Sequence, residues 1–239
     1  MAQRDLPQNG SERLDSIPAL LARNVARNGA LPAYREKEFG IWQSWTWAQA
    51  ADEIQALALG FLSLGLARGD YVAVIGRNRP MHYWSMIAAQ MCGAIPVPLY
   101  QDANADEMAY VLDHCGARFV ICGDQEQVDK VIEVQDRIHH IDQVVYVDKR
   151  GMRKYDHSRM NALADVVAEG KAAHNRFDAE LDARIMQAAN AAAHAGSSAP
   201  RRIAANGSSA AGSSTLVPII TSTCGRQSRR WITSRSARW

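Results

Sequence analysis

Apolar and polar positions fall in blocks along this chain. Residues 71–75 form a short apolar run, and Gly76 to Pro80 interrupts it. Met81 to Cys92 then carries apolar positions at helical spacing, and Gly93 precedes a second apolar run over 95–100. The pattern reads as strand, helix, strand. Two strands joined by a crossover helix lie parallel, and a parallel sheet is covered on both faces, which explains why both runs are apolar throughout.

The flanking sequence extends this pattern. Ser16 is placed to cap a helix with Pro18 in its first turn, Ile17, Leu20, Leu21 and Val25 on one face, and Gly29 at its end. Residues 34–38 and 41–45 flank Phe39-Gly40 as the arms of a hairpin. Thr46 and Gln49 have capping-box spacing, ahead of a stripe of Ile54, Leu57, Ala58, Phe61 and Leu62 that runs until Gly65. Beyond the central unit, Asn104 or Asp106 opens a helix that Gly116 stops, and 119–122 is a third strand. A helix over 124–138 presents Val128, Val131 and Ile132, and 144–147 is a fourth strand. Residues 149–175 are polar and only weakly helical near 160–167, so a surface segment is expected there. The alternation defines an α/β fold with a mostly parallel sheet flanked by helices.

Composition divides the chain. Across 239 residues, 27 Lys+Arg nearly balance 25 Asp+Glu, but residues 186–239 hold seven Arg, no Lys and no acid. Ala, Ser, Gly and Arg dominate there and periodicity is lost. Residues 186–239 are therefore expected to be a disordered low-complexity tail on an ordered domain spanning 14–185. No window approaches the roughly 18 unbroken apolar residues of a membrane span, and the first residues are polar and mixed in charge, so a cytoplasmic protein is expected. Cys92, Cys115, Cys122 and Cys224 include no CxxC pair, and reduced, mostly buried thiols are expected in place of disulfides or a metal site.

Each stretch with possible chemistry has a simpler reading. Gly76-Arg77-Asn78-Arg79 lies after a strand and before a helix, where phosphate loops sit. It matches neither GxGxxG nor GxxxxGK[ST], and a solvated turn with two arginines accounts for it. His139-His140 has no third metal ligand nearby and reads as surface histidines at a helix end. In His82-Tyr83-Trp84 the aromatics read as packing, and His114-Cys115 are sequence neighbours that rarely meet as base and nucleophile. Asp102, Asp106 and Glu107 suit the N-terminus of the next helix. The tail arginines with Trp231 and Trp239 suggest nucleic acid, yet no folded platform presents them. Asn206-Gly207-Ser208 matches a glycosylation sequon, without meaning for a cytoplasmic chain.

In combination, W-T-W-A-Q-A-A-D-E-I (45–54), G-L-A-R-G-D-Y-V-A-V-I-G-R-N-R-P (65–80) and A-A-Q-M-C-G-A-I-P-V-P-L-Y (88–100) resemble the N-terminal region of AMP-forming acyl-CoA synthetases, the long-chain members above all. Asp106-Glu107 to Val111-Leu112, then residues 117–121, continue the resemblance, which covers about 14–185. It implies a partial N-terminal lobe of an adenylate-forming enzyme. The reaction implied is attack of a fatty acid carboxylate on ATP to give acyl-AMP and pyrophosphate, then transfer to coenzyme A, with Mg²⁺ on the phosphates. ATP, Mg²⁺ and CoA are implied for full-length relatives only.

The family's phosphate loop, T-S-G-T-T-G-x-P-K-G, is missing from the sequence. Thr221-Ser222-Thr223-Cys224-Gly225-Arg226 lacks its first Gly, its Pro and its Lys. No catalytic residue carries over, no metal-binding residue is expected, cofactor-binding residues are left unassigned, and the chain is expected to be an inactive fragment whose reading frame is lost near Ile185. The alternative is a non-catalytic association module, a homodimer with Trp42 and Trp45 as contact residues. The resemblance also implies a second sheet beyond this segment, so one sheet face is expected to lie uncovered.

Overall fold

The structure is a computed structural model, described here for residues 16–173, 176–185 and Gln187. The elements over these residues are α1 (Ile17–Asn28), β1 (Pro32–Glu38), β2 (Ile41–Thr46), α2 (Trp47–Ser63), β3 (Tyr71–Ile75), α3 (Pro80–Met91) and β4 (Ile95–Leu99). They continue with α4 (Ala105–Cys115), β5 (Ala117–Cys122), α5 (Gln125–Val134), β6 (Gln143–Tyr146), a 3₁₀ turn at Met152–Lys154, β7 (Met160–Ala162) and α6 (Leu163–Ala172). Residues 176–185 are again helical. Except for Gln187, the tail expected to be disordered over 186–239 lies outside the described residues.

Local signals start the helices where the sequence places them. The Ser16 hydroxyl accepts from Ala19 N, and Thr46 with Gln49 and Asn104 with Glu107 each form a complete capping box. Asp124 accepts from Gln127 N at the start of α5, and Gly116, in the left-handed region, closes α4.

Five strands form one parallel sheet in the order β4-β3-β5-β6-β7. Successive side chains of a strand point to opposite faces, so the sheet feeds two cores. Val72, Val74, Phe119, Ile121 and Val145 pack with α2, α3 and α6, while Ala73, Ile75, Val120, Cys122 and Val144 pack with α4 and α5. Both faces are thus covered, and the expected open face is absent from this sheet. The resemblance suggested a second sheet as cover, but helices local to the segment do that work.

The polar stretch 149–175 is not the surface segment expected. It supplies β7, which pairs with β6, and α6, with Met152, Ala162, Leu163, Val166 and Val167 all buried. Its signal is weak because β7 is only three residues long and α6 packs through glycine. A Cβ at Gly170 would stand 1.8 Å from Ala56 O, and one at Gly60 would stand 2.2 Å from Val166 O. The two helix backbones meet with no side chain between them.

The sheet edge at β4 has a sided backbone. Ile95 N donates to Asp70 O on the β3 side, and by the period of two Val97 and Leu99 face the same way. The outward amide positions are Pro96 and Pro98, which have no N–H to offer.

β1 and β2 make a separate antiparallel ribbon. Its inner face carries Tyr34 and Trp45, whose rings lie edge-on to buried Trp84 at 5.6 and 5.4 Å. Trp45 therefore braces the ribbon on α3 and is half-buried, unlike exposed Trp42. It is not a free contact residue as expected.

Candidate functional site

In an open α/β sheet, ligands bind beyond the carboxyl ends of the strands where the strand order reverses. Here the chain steps from β3 outward to β4, then crosses back to β5 on the other side of β3, with α3 on one face and α4 on the other. A crevice of about 710 Å³, mouth included, opens at that point, lined by residues that follow β3, β5 and β6 and by Glu36 of β1.

Its floor is bare backbone. A Cβ on Gly76 would fall 3.1 Å from Gly123 Cα, so the turns after β3 and β5 touch through their glycines. Gly123 N donates to Ile75 O at 2.7 Å and Asp148 N to Gly123 O at 3.2 Å, which carries the sheet's ladder past the ends of the strands.

The walls are charged. Arg79 forms an ion pair with Glu36 at 2.7 Å and reaches Glu38 at 3.8 Å. Arg150 donates from Nε to both carboxylate oxygens of Asp148, at 3.0 and 2.8 Å, and these hydrogen bonds hold the Asp148 carboxyl below its usual range. Arg77 is exposed and makes no ion pair within the described residues, although its charge contributes to lowering Glu126, whose main partner is Lys130. The crevice thus has one uncommitted guanidinium.

Two helices start there. Asp124 caps α5, whereas Arg79 at the start of α3 makes no side-chain cap and Pro80 follows it. The first N–H groups of α3 carry a partial positive charge toward the crevice. His82 also lines it, and burial lowers the pKa of its imidazole, favouring the neutral ring. Such a site can orient an anionic group. It lacks a metal-binding set, because no group of three His, Cys, Asp or Glu among the described residues could hold an ion.

The other candidates are dispersed. Trp84 is core, and Tyr83 Oη donates to Asn78 Oδ1. His139 and His140 lie in turns after α5, which ends at Val134 short of the expected 138, and His140 Nε2 sits 3.1 Å from Leu112 O. His114 stacks on Tyr110, while Cys115 contacts Leu112 O and its thiol is pushed up by burial, which suppresses thiolate chemistry. Burial also pushes Cys92 up to about 12. Glu107 serves its capping box, Asp106 pairs with Arg137 at 2.8 Å, and Asp102 is exposed. The tail candidates, Cys224, Trp231, Trp239 and the sequon included, lie outside the described residues. Sequence reading missed Glu36, His82, Asp124, Asp148 and Arg150 as neighbours of Arg77. For Asp124, Asp148 and Arg150 the position just after a predicted strand was the available signal, whereas Glu36 within a hairpin arm and His82 within a helix offered none.

An open α/β domain with a crevice at its switch point is of the class of folds in which ligands bind at the carboxyl ends of the strands. The chain belongs to the AMP-binding enzyme family, whose match runs over residues 21–199. It is 26% identical over 130 residues to the long-chain-fatty-acid–CoA ligase ACSBG2 of Xenopus laevis, covering 54% of this chain and 18% of that protein. With the long-chain-fatty-acid–CoA ligase FadD15 of Mycobacterium tuberculosis the identity is 26% over 144 residues, 59% of this chain and 24% of that one. The chain therefore spans about a quarter or less of these two ligases. Among solved structures, the anthranilate CoA ligase AuaEII in complex with anthranoyl-AMP shares the fold with a TM-score of 0.56 at 18% identity, over 64% of this chain and 27% of that one.

Proposed function

We propose that residues 16–185 are the N-terminal lobe of a fatty acid–CoA ligase, which activates a carboxylate as acyl-AMP and passes the acyl group to CoA. The observation that carries this reading is the family match over 21–199, together with the fatty-acid–CoA ligases among the relatives. In this reading the lobe scaffolds the reaction. Its crevice gives Arg77 and the start of α3 to an anionic part of a ligand, while stabilisation of the reacting phosphoryl group falls to residues outside it. No catalytic residue is assigned to this lobe, and the 239-residue chain, without the phosphate loop in its sequence, does not adenylate by itself. ATP, Mg²⁺ and CoA belong to the longer relatives, and the setting is the cytoplasm. No helix among the described residues is long and apolar enough to cross a membrane.

Two experiments test this. Fatty-acid-dependent pyrophosphate exchange with the pure chain is expected to be absent, and its presence would overturn the reading of inactivity. Grafting residues 1–185 in place of the matching segment of a FadD15-type ligase is expected to preserve acyl-CoA formation. A folded chimera that binds ATP but forms no thioester would overturn the assignment of this lobe.

A further inference from the structure

The β1–β2 ribbon has two chemically distinct faces. Directly opposed residues of an antiparallel pair share a face, so Tyr34/Trp45, Glu36/Gln43 and Glu38/Ile41 lie on one side, and Arg35/Ser44 and Lys37/Trp42 on the other. On the inner side, Tyr34 and Trp45 pack on Trp84, and Arg79 pairs with both glutamates. The outer side presents Arg35 and Lys37, both exposed and without an ion pair among the described residues, beside Trp42 at 65% exposure. Carboxylates face in and cations face out.

The tip is more unusual. Phe39 and Gly40 both have positive φ, 47° and 82°, as in the tight hairpin turn that favours Asn-Gly. A bulky side chain is costly in that backbone region, and packing does not offset the cost, because Phe39 is 86% exposed and Ile41 beside it 64%. Neither turn chemistry nor the core selects phenylalanine here. What suits an aromatic tip above two free cations is an interface with an apolar interior and anionic phosphates at its rim.

We propose that this ribbon docks on an anionic lipid bilayer surface, with Phe39 and Trp42 entering the interfacial layer and Arg35 and Lys37 meeting lipid phosphates. Tryptophan favours that layer, and clustered cations bind anionic leaflets while their charge is unscreened. Docking is peripheral and reversible, since one aromatic tip buries too little surface for permanent anchoring. The proposal is independent of the ligase reading, because it uses no residue of the crevice.

Vesicle co-sedimentation of the full 239-residue chain tests it, with phosphatidylcholine alone and with phosphatidylserine added. The full chain is expected to bind phosphatidylserine vesicles, more weakly at high salt. Phe39→Asn and Trp42→Ser are each expected to lower the partition coefficient roughly tenfold, and Arg35→Ala with Lys37→Ala by about thirtyfold at low salt. Phe39→Asn separates docking from folding, because it suits the turn and should raise the melting temperature while it weakens binding. The tail arginines are present in every variant, so any binding they supply is common to all. Equal binding by the parent and all ribbon variants, or no binding by the parent, would overturn the proposal. So would a lipid-free dimer that Phe39→Asn and Trp42→Ser dissociate, which would make the ribbon an interface between two copies of the chain.

Discussion

The helices on the two sides of the sheet solve the same problem differently. On one side α5 is buried along a single stripe, Gln127, Val128, Val131 and Val134, and α4 follows the same rule with Met108, Ala109 and Leu112. These are one-sided surface helices. On the other side α2 is buried continuously from Ala56 to Leu62, held between the sheet layer, α1, α3, α6 and the ribbon. A helix enclosed all round depends on close fit at every position, whereas a striped helix depends on one face only. The α2 side should thus tolerate added volume least.

The largest effect should come from the glycine contact. Gly170→Leu drives a side chain into the α2 backbone and is expected to destabilise the chain by about 3 kcal/mol or more, read from urea unfolding, whereas a leucine at exposed Glu133 of α5 should change little. Removing volume comes next. Leu57→Ala in α2 and Leu112→Ala in α4, both at 1% exposure or less, should each cost about 2–5 kcal/mol, the first more than the second. Equal costs would erase the distinction between the layers. The caps should not distinguish them, because capping is local: Thr46→Ala and Asn104→Ala are each expected to cost about 1 kcal/mol, by the same measurement.

The smallest effect concerns acidity. Burial holds the His82 pKa below its ordinary value, so the unfolded chain takes up that proton more readily than the folded one. Stability from this group is full above about pH 6.5 and declines as pH falls through the ordinary histidine range. His82→Gln should flatten that part of a melting-temperature profile between pH 5 and 8, and an unchanged profile would remove His82 as its source.

How far the sequence could be read follows from the same contrast. Striped helices and apolar strands announce themselves, and α4, α5, β3, β5 and β6 fall close to where periodicity puts them. α6 was hidden because its packing face includes Gly170, which adds no apolar signal, and because β7 pairs through only three residues. The crevice was hidden for another reason. Arg77 was visible as a turn residue, but Asp124, Asp148 and Arg150 lie far from it in sequence and share its crevice because strand order places the ends of β3, β5 and β6 side by side, while Glu36 comes from the separate ribbon and is tied in by Arg79. Trp42 and Trp45 looked equivalent in the sequence, and the register alone assigns one to solvent and the other to Trp84.

A parallel sheet resembles a growing polymer, in that each outer strand can template the next. Pro96 and Pro98 make β4 a chain terminator, since an incoming strand would meet carbonyls and no donors along that side. Among the described residues β4 ends the sheet, and its lack of outward donors lets the lobe resist stacking border to border with its own copies, at the price of a poor template for any further strand.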